Sequence, residues 1–266
     1  MTQTIKHPLH PFHILPSSPW PFFIALSLLI ITISAVFYMH RYTYSGYFLI
    51  LGFISLLFIL FFWWRDMIIE ANSGFHTFKV QYGLRLGMLL FILSEVFFFV
   101  AFFWAFFNSS IIPNIQIGHI WPPIGIQSLD PWDIPFINTL ILLLSGITIT
   151  WAHYAMINGY RKDTILGLSF TIILGLIFIF MQYLEYIEAS FNISDGIFGS
   201  VFFMATGFHG FHVLIGIIFI SICLIREIFY QFSQESHLAL EAAAWYWHFV
   251  DVVWMILFLS VYVWGN

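Results

Sequence analysis

A chain of 266 residues with 61% hydrophobic and only 8% charged side chains is far from soluble composition, in which roughly a quarter of residues are charged. Its net charge of −5 is spread thinly, which argues against a nucleic-acid partner and against an acidic tail. Cys223 is the single cysteine, so an intramolecular disulfide, a C-x-x-C redox pair and a binuclear thiolate copper site are all excluded.

The N-terminus carries Lys6, His7, His10 and His13 and then four prolines between Pro11 and Pro21. The apolar run that follows is too long for a secretory signal and lacks a small-residue cleavage site, so residue 1 onward reads as mature protein. Crossing a hydrocarbon core of about 30 Å takes roughly 20 helical residues. Seven stretches qualify: 22–39, 42–64, 86–112, 134–155, 164–184, 196–225 and 242–264. Charge, proline or turn residues separate them at Arg41, Arg65 to Lys79, Pro113 to Pro135, Gly159 to Asp163, Glu185 to Asp195 and Arg226 to Glu241. The expected fold is all-α, a single polytopic transmembrane domain over 1–266.

Sidedness follows from the basic residues. Lys6, Arg65, Lys79, Arg85, Arg161, Lys162 and Arg226 fall on one side and Arg41 alone on the other. The positive-inside rule then puts the N-terminus inside and the C-terminus outside. The opposite side carries Asp130, Asp133, Glu185, Glu188 and Asp195.

Glu95 is the sharpest anomaly, near the midpoint of the third span with Phe91, Phe98, Phe99 and Phe102 as helical neighbours. An acidic residue at a helix centre costs roughly 2.5–3.5 kcal/mol on insertion scales, so it should face a partner. By depth, His209 and His212 of the sixth span and His248 and Asp251 of the seventh lie at a similar level. One midplane polar network of Glu95, His209, His212, His248 and Asp251 is expected, with Glu95 bonded to His209 or His212. No Glu-x-x-His motif appears, so metal or haem binding is not expected, and no catalytic residue is assigned. His7, His10, His13, His40, His76, His119 and His237 lie in tails or loops, where solvation suffices. At the inner border Arg65, Lys79, Arg85 and Arg226, with Trp64, Glu70 and His76 nearby, are placed to meet anionic lipid headgroups.

Several segments carry a family likeness. HPFHILPSSPWP opens the chain, WWRD (Trp63 to Asp66) ends the second span, and GLRLGMLLFILSEVFFF (Gly83 to Phe99) contains the acid. FFWAFFNSS, WPPIGI, TWAH, FNISDGIFGS, ATGFHGFHVLIG and EAAAWYWHFVDVVW follow in order. Together they make the sequence resemble subunit III of the haem-copper cytochrome c oxidases, in its mitochondrial form. Phe75, Tyr154 and Ser236 depart from the family pattern where histidines are usual.

The resemblance implies a non-catalytic core subunit of respiratory complex IV, with the first two helices separated from the other five by a lipid-filled cleft. It implies no cofactor in this chain, with haem and copper in partner subunits and phosphatidylglycerol or cardiolipin bound. Trp64, Glu70, His76, Arg85, Trp104 and Arg226 match the family's lipid contacts, and Glu95 its carbodiimide-reactive acid. Implied partners are catalytic subunit I, subunit II, accessory subunits and a respiratory supercomplex. The implied address is the mitochondrial inner membrane, N-terminus in the matrix and C-terminus in the intermembrane space. Implied roles are assembly, stability of the catalytic subunit and proton uptake during electron transfer from cytochrome c to oxygen. The rival from a different class is a secondary transporter using Glu95, His212 and Asp251 as a coupling-ion site, although no inverted repeat is visible.

Overall fold

The computed structural model describes residues 10–265, apart from the side chain of Gln116, so Lys6 and His7 lie outside the described residues. Among the described residues the secondary structure is wholly helical: α1 (Trp20–Met39), α2 (Ser45–Asn72), α3 (Phe78–Ile111), α4 (Ile134–Ile157), α5 (Arg161–Glu188), α6 (Gly196–Ile228) and α7 (Leu238–Leu257), the last running on as a π-helical segment, Phe258–Trp264. A single 3-10 turn, Ile115–Ile117, sits between α3 and α4. Among the described residues, seven helices are long and apolar enough to cross a membrane.

Several helices outrun the apolar stretches. The break expected from Arg65 to Lys79 is mostly helix, since α2 continues to Asn72 and α3 starts at Phe78, and α5 and α7 start at Arg161 and Leu238. Charge marks where lipid gives way to headgroups and water, but it does not end a helix whose backbone bonds are internal.

The chain divides into two compact units between Leu84 and Arg85. In the first, α1 and α2 pack on each other and are joined by residues 40–44, where Arg41 and Tyr44 take the left-handed conformation at φ 60° and 66°. The buried residues of the pair are small: Ser27 and Ser34 on α1, Ser45 and Gly52 on α2. Most of the Leu, Ile and Phe side chains face outward, while Ile30 and Ile31 lie against Gly52. That inversion of a soluble hairpin is expected in lipid, where tails are as apolar as leucine and helices associate through small residues that let backbones approach. Trp20 Nε1 donates to Asp66 Oδ2 at 2.8 Å, tying the start of α1 to the second half of α2.

The second unit is built round α7, its most buried helix. Neighbours follow a ring, α4 on α5, α5 on α6, α6 on α7 and α7 back on α4. Trp247 of α7 is fully buried at the centre and donates its indole N–H to the Ser145 hydroxyl of α4 at 2.9 Å. Its ring lies against Gly175 of α5 and Gly216 of α6, where an added Cβ would come within 2.9 and 2.8 Å of ring carbons. Trp254, two turns on, donates to Thr139 Oγ1 of α4 at 2.9 Å. α3 joins through large rings instead of close backbones: Phe99 packs on Phe249 with ring centroids 6.1 Å apart, and Phe98 on Phe208 at 5.0 Å.

Candidate functional site

Glu95 of α3 reaches α6. Its Oε2 lies 2.9 Å from His212 Nε2, with only 23% of the carboxyl side chain and 8% of the imidazole exposed. The second ring nitrogen, Nδ1, is 2.6 Å from the Phe208 carbonyl. Phe99 stands edge-on to the imidazole, ring centroids 4.9 Å apart, and Tyr246 is stacked parallel to it at 6.4 Å. The pair is a two-residue hydrogen-bonded unit walled by aromatic rings, with both imidazole nitrogens engaged.

The larger network expected at this depth is not assembled. His209 is buried between Phe178 and Trp254, ring centroids 5.6 and 5.1 Å away, and neither of its nitrogens has a hydrogen-bond partner. Residues three apart on a helix are rotated by roughly 60° about its axis, so His212 faces α3 while His209 faces α5 and α7. His248 turns toward α4, where its Nε2 is 3.2 Å from Thr150 Oγ1. Its Nδ1 is 3.9 Å from Asp251 Oδ2, beyond hydrogen-bond length. The Asp251 carboxylate sits against Gly146, where a Cβ would lie 2.7 Å from Oδ2, and its Oδ1 is buried without a partner. Among the described residues, no hydrogen bond or ion pair joins the Glu95 and His212 pair to the group on α4 and α7.

The six residues singled out for lipid divide between the two units. In the first, Trp64 is exposed on α2 and Glu70 lies on the last turns of that helix. In the second, Trp104 is 71% exposed, whereas Arg85 is engaged with Glu241, Nε to Oε2 at 2.9 Å. Arg226 holds its guanidinium 4.4 Å above the Phe232 ring, and its Nε donates to Gln231 Oε1 at 3.2 Å. Arg85, Arg161 and Arg226 all lie at one end of this unit, where Arg161 donates to the Glu227 and Ile228 carbonyls that finish α6.

A grouping that the sequence did not suggest lies in the first unit. His13, Glu70 and His76 each bring one ligand-type atom within 4.8 Å of the others. Sequence spacing gave no signal for it, because His13 stands in an irregular segment 57 residues from Glu70. Among the described residues this is the one group of three or more His, Cys, Asp or Glu close enough to hold a metal ion.

The family model described as Cytochrome c oxidase subunit III matches residues 10–266. The chain belongs to the cytochrome c oxidase subunit III family. Curated relatives named Cytochrome c oxidase subunit 3 include one from Prototheca wickerhamii, 56% identical over 97% of this chain and 98% of its own length. Those from Arabidopsis thaliana and Salmo salar are 53% and 51% identical, each over 98% of this chain and 99% and 100% of their own length. This subunit III is therefore a non-catalytic part of the oxidase, a proton-translocating oxidoreductase only as one of its subunits, and a multi-pass inner-membrane protein. The family assignment is consistent with a chain that carries no redox centre, and it implies that the chain works with other oxidase subunits. The transporter reading finds no support: the family is that of an oxidase subunit, and Asp251 stands apart from the Glu95 and His212 pair.

Proposed function

We propose that this subunit III sits in the mitochondrial inner membrane with its N-terminus in the matrix and its C-terminus in the intermembrane space. It packs on catalytic subunit I, which holds the haems and copper, beside subunit II and accessory subunits, and supports assembly, stability of the catalytic subunit and proton uptake. Phospholipids of the phosphatidylglycerol or cardiolipin kind bind to it, with Trp64, Glu70, His76, Arg85, Trp104 and Arg226 as the proposed contacts. The orientation is supported by the basic residues, seven of which the sequence puts on one side.

The observation that carries the proton-linked part is the 2.9 Å contact between Glu95 and His212, set among aromatic rings within a membrane-spanning helix. Two groups that share a proton in a poorly hydrated setting can hold it or pass it on, and with both imidazole nitrogens engaged the pair offers no free ligand to a metal. Replacing Glu95 with Gln in the assembled oxidase tests this: a shorter working lifetime or slower proton uptake is expected. Unchanged values of both would leave Glu95 as packing alone.

A further inference from the structure

We propose that one layer of the second unit, formed by Asn138, Gln182 and His209 around Trp254, is a buried binding site for ordered water. The layer follows from the spacing of residues on four helices. At the centre of the unit, Trp247 of α7 bonds to Ser145 of α4 and lies against Gly175 of α5 and Gly216 of α6. Seven residues are close to two full helical turns, so a step of seven keeps the same face and moves about 10 Å along the axis. Taken from each of these four residues toward the Glu185 end of α5, that step arrives at Trp254, Asn138, Gln182 and His209. The contacts agree with this register. Trp254 donates to Thr139, the neighbour of Asn138, and its ring lies 5.1 Å from that of His209 and 4.8 Å from that of Phe178, one turn before Gln182.

The Trp247 layer is filled by a ring and two glycines, whereas this one is polar. Asn138, Gln182 and His209 are 0%, 5% and 1% exposed. The amide oxygen and nitrogen of Asn138 and of Gln182, and both ring nitrogens of His209, are buried without a hydrogen-bond partner in the chain. They have no exposed surface through which a neighbouring subunit could pair them. Buried polar groups in native proteins are almost all bonded, either to protein or to ordered water, so three side chains left wholly unpaired in one layer point to water. The chemistry of the group selects it too, because each of the three offers both a donor and an acceptor, a neutral imidazole included. Water answers both. A cation would meet the acceptors alone and leave the amide N–H groups facing a positive charge. The site reaches one turn further along α5: Glu185 Oε1 accepts from the Tyr262 hydroxyl at 2.6 Å, while its Oε2 is buried and unpaired. Gln182 stands near both residues without reaching hydrogen-bond length, so water on its amide is placed to bond the Glu185 carboxyl and join α5 to the π-helical end of α7.

The test is a density map of the intact oxidase, sharp enough to show ordered water elsewhere in the complex, for wild type and for Gln182→Met, with haem content reporting assembly. In wild type, density is expected within about 2.7–3.2 Å of the Asn138 and Gln182 amides and of a His209 nitrogen. In Gln182→Met, whose apolar side chain of similar length can bind none, the density beside position 182 should disappear. The apparent unfolding temperature of the subunit should also fall, because Glu185 loses its water. The wild-type map decides whether or not the variant assembles: well-resolved side chains with no density between them overturn the proposal. An unchanged or higher unfolding temperature in Gln182→Met overturns it too, since that is the result of exchanging a dry, unpaired amide for an apolar group. Density bonded to the amide oxygens alone, with both amide nitrogens turned away, would mark a cation and overturn it as well.

Discussion

His212 meets Glu95 at 2.9 Å through Nε2 while its Nδ1 lies 2.6 Å from the Phe208 carbonyl. A carbonyl only accepts, so Nδ1 carries a hydrogen, and a single proton remains for the contact between Nε2 and the carboxyl. Whether that proton sits on oxygen or nitrogen, the pair is neutral as a whole. This explains how an acid can occupy the middle of an apolar helix.

Removing one half of the pair should therefore cost more than replacing it with a neutral donor. Glu95→Ala leaves Nε2 without its partner and is expected to lose about 1–3 kcal/mol. Glu95→Gln can donate an amide N–H to the same nitrogen and should lose less. Thermal unfolding of this subunit within detergent-solubilised oxidase gives the order, and equal losses would mean that the hydrogen bond carries no stability.

Gly146 and Asp251 are expected to be coupled. A Cβ at Gly146 would meet Asp251 Oδ2 at 2.7 Å, so Gly146→Ala should destabilise by forcing the carboxylate aside. Combining it with Asp251→Ala removes the obstruction. The double variant should be more stable than the two single losses added together, by roughly 0.5–3 kcal/mol in a double-mutant cycle.

Gly216→Ala should be damaging for a related reason, since its Cβ would lie 2.8 Å from the buried Trp247 ring, which cannot move without breaking its bond to Ser145. Overpacking of this kind costs about 1–3 kcal/mol. Gly207→Ala on the same helix is the control, because its Cβ would meet only the Tyr186 hydroxyl, at 3.9 Å. Equal unfolding temperatures for the two variants would contradict the account of α7 as the tightly packed centre.

Arg161→Lys should loosen the connection between α6 and α7. The guanidinium donates to two carbonyls at the end of α6, at 2.9 and 2.8 Å, and stacks 3.6 Å from the Tyr230 ring. An ammonium cannot reproduce the planar fork or the stacking, so a loss of about 1 kcal/mol is expected. Limited proteolysis between Phe229 and His237 should become faster in the variant.

Much of this was legible in the sequence. The seven apolar runs set the helices, and depth alone brought Glu95 opposite the sixth span. Choosing between His209 and His212 needed the rotation of α6, because both lie at one level and only one faces α3. Arg65 marks the end of the apolar run and not of the helix, which runs on to Asn72, because charge does not end a helix whose backbone bonds are internal. His13 was the hardest to see: its meeting with Glu70 and His76 depends on ties at Thr77 and Trp20 that no periodicity encodes. Asp251 was found by depth, but its room is made by a glycine on another helix.

Whether this subunit serves an oxidase without holding the oxidase's redox metals is tested most directly by tagging the chain in its native membrane, isolating it under mild and then dissociating conditions, and recording the visible spectrum and copper content of each fraction. Haem absorption and copper should accompany the chain only while a larger partner is present. A Soret band or stoichiometric copper remaining with the separated chain would contradict the account.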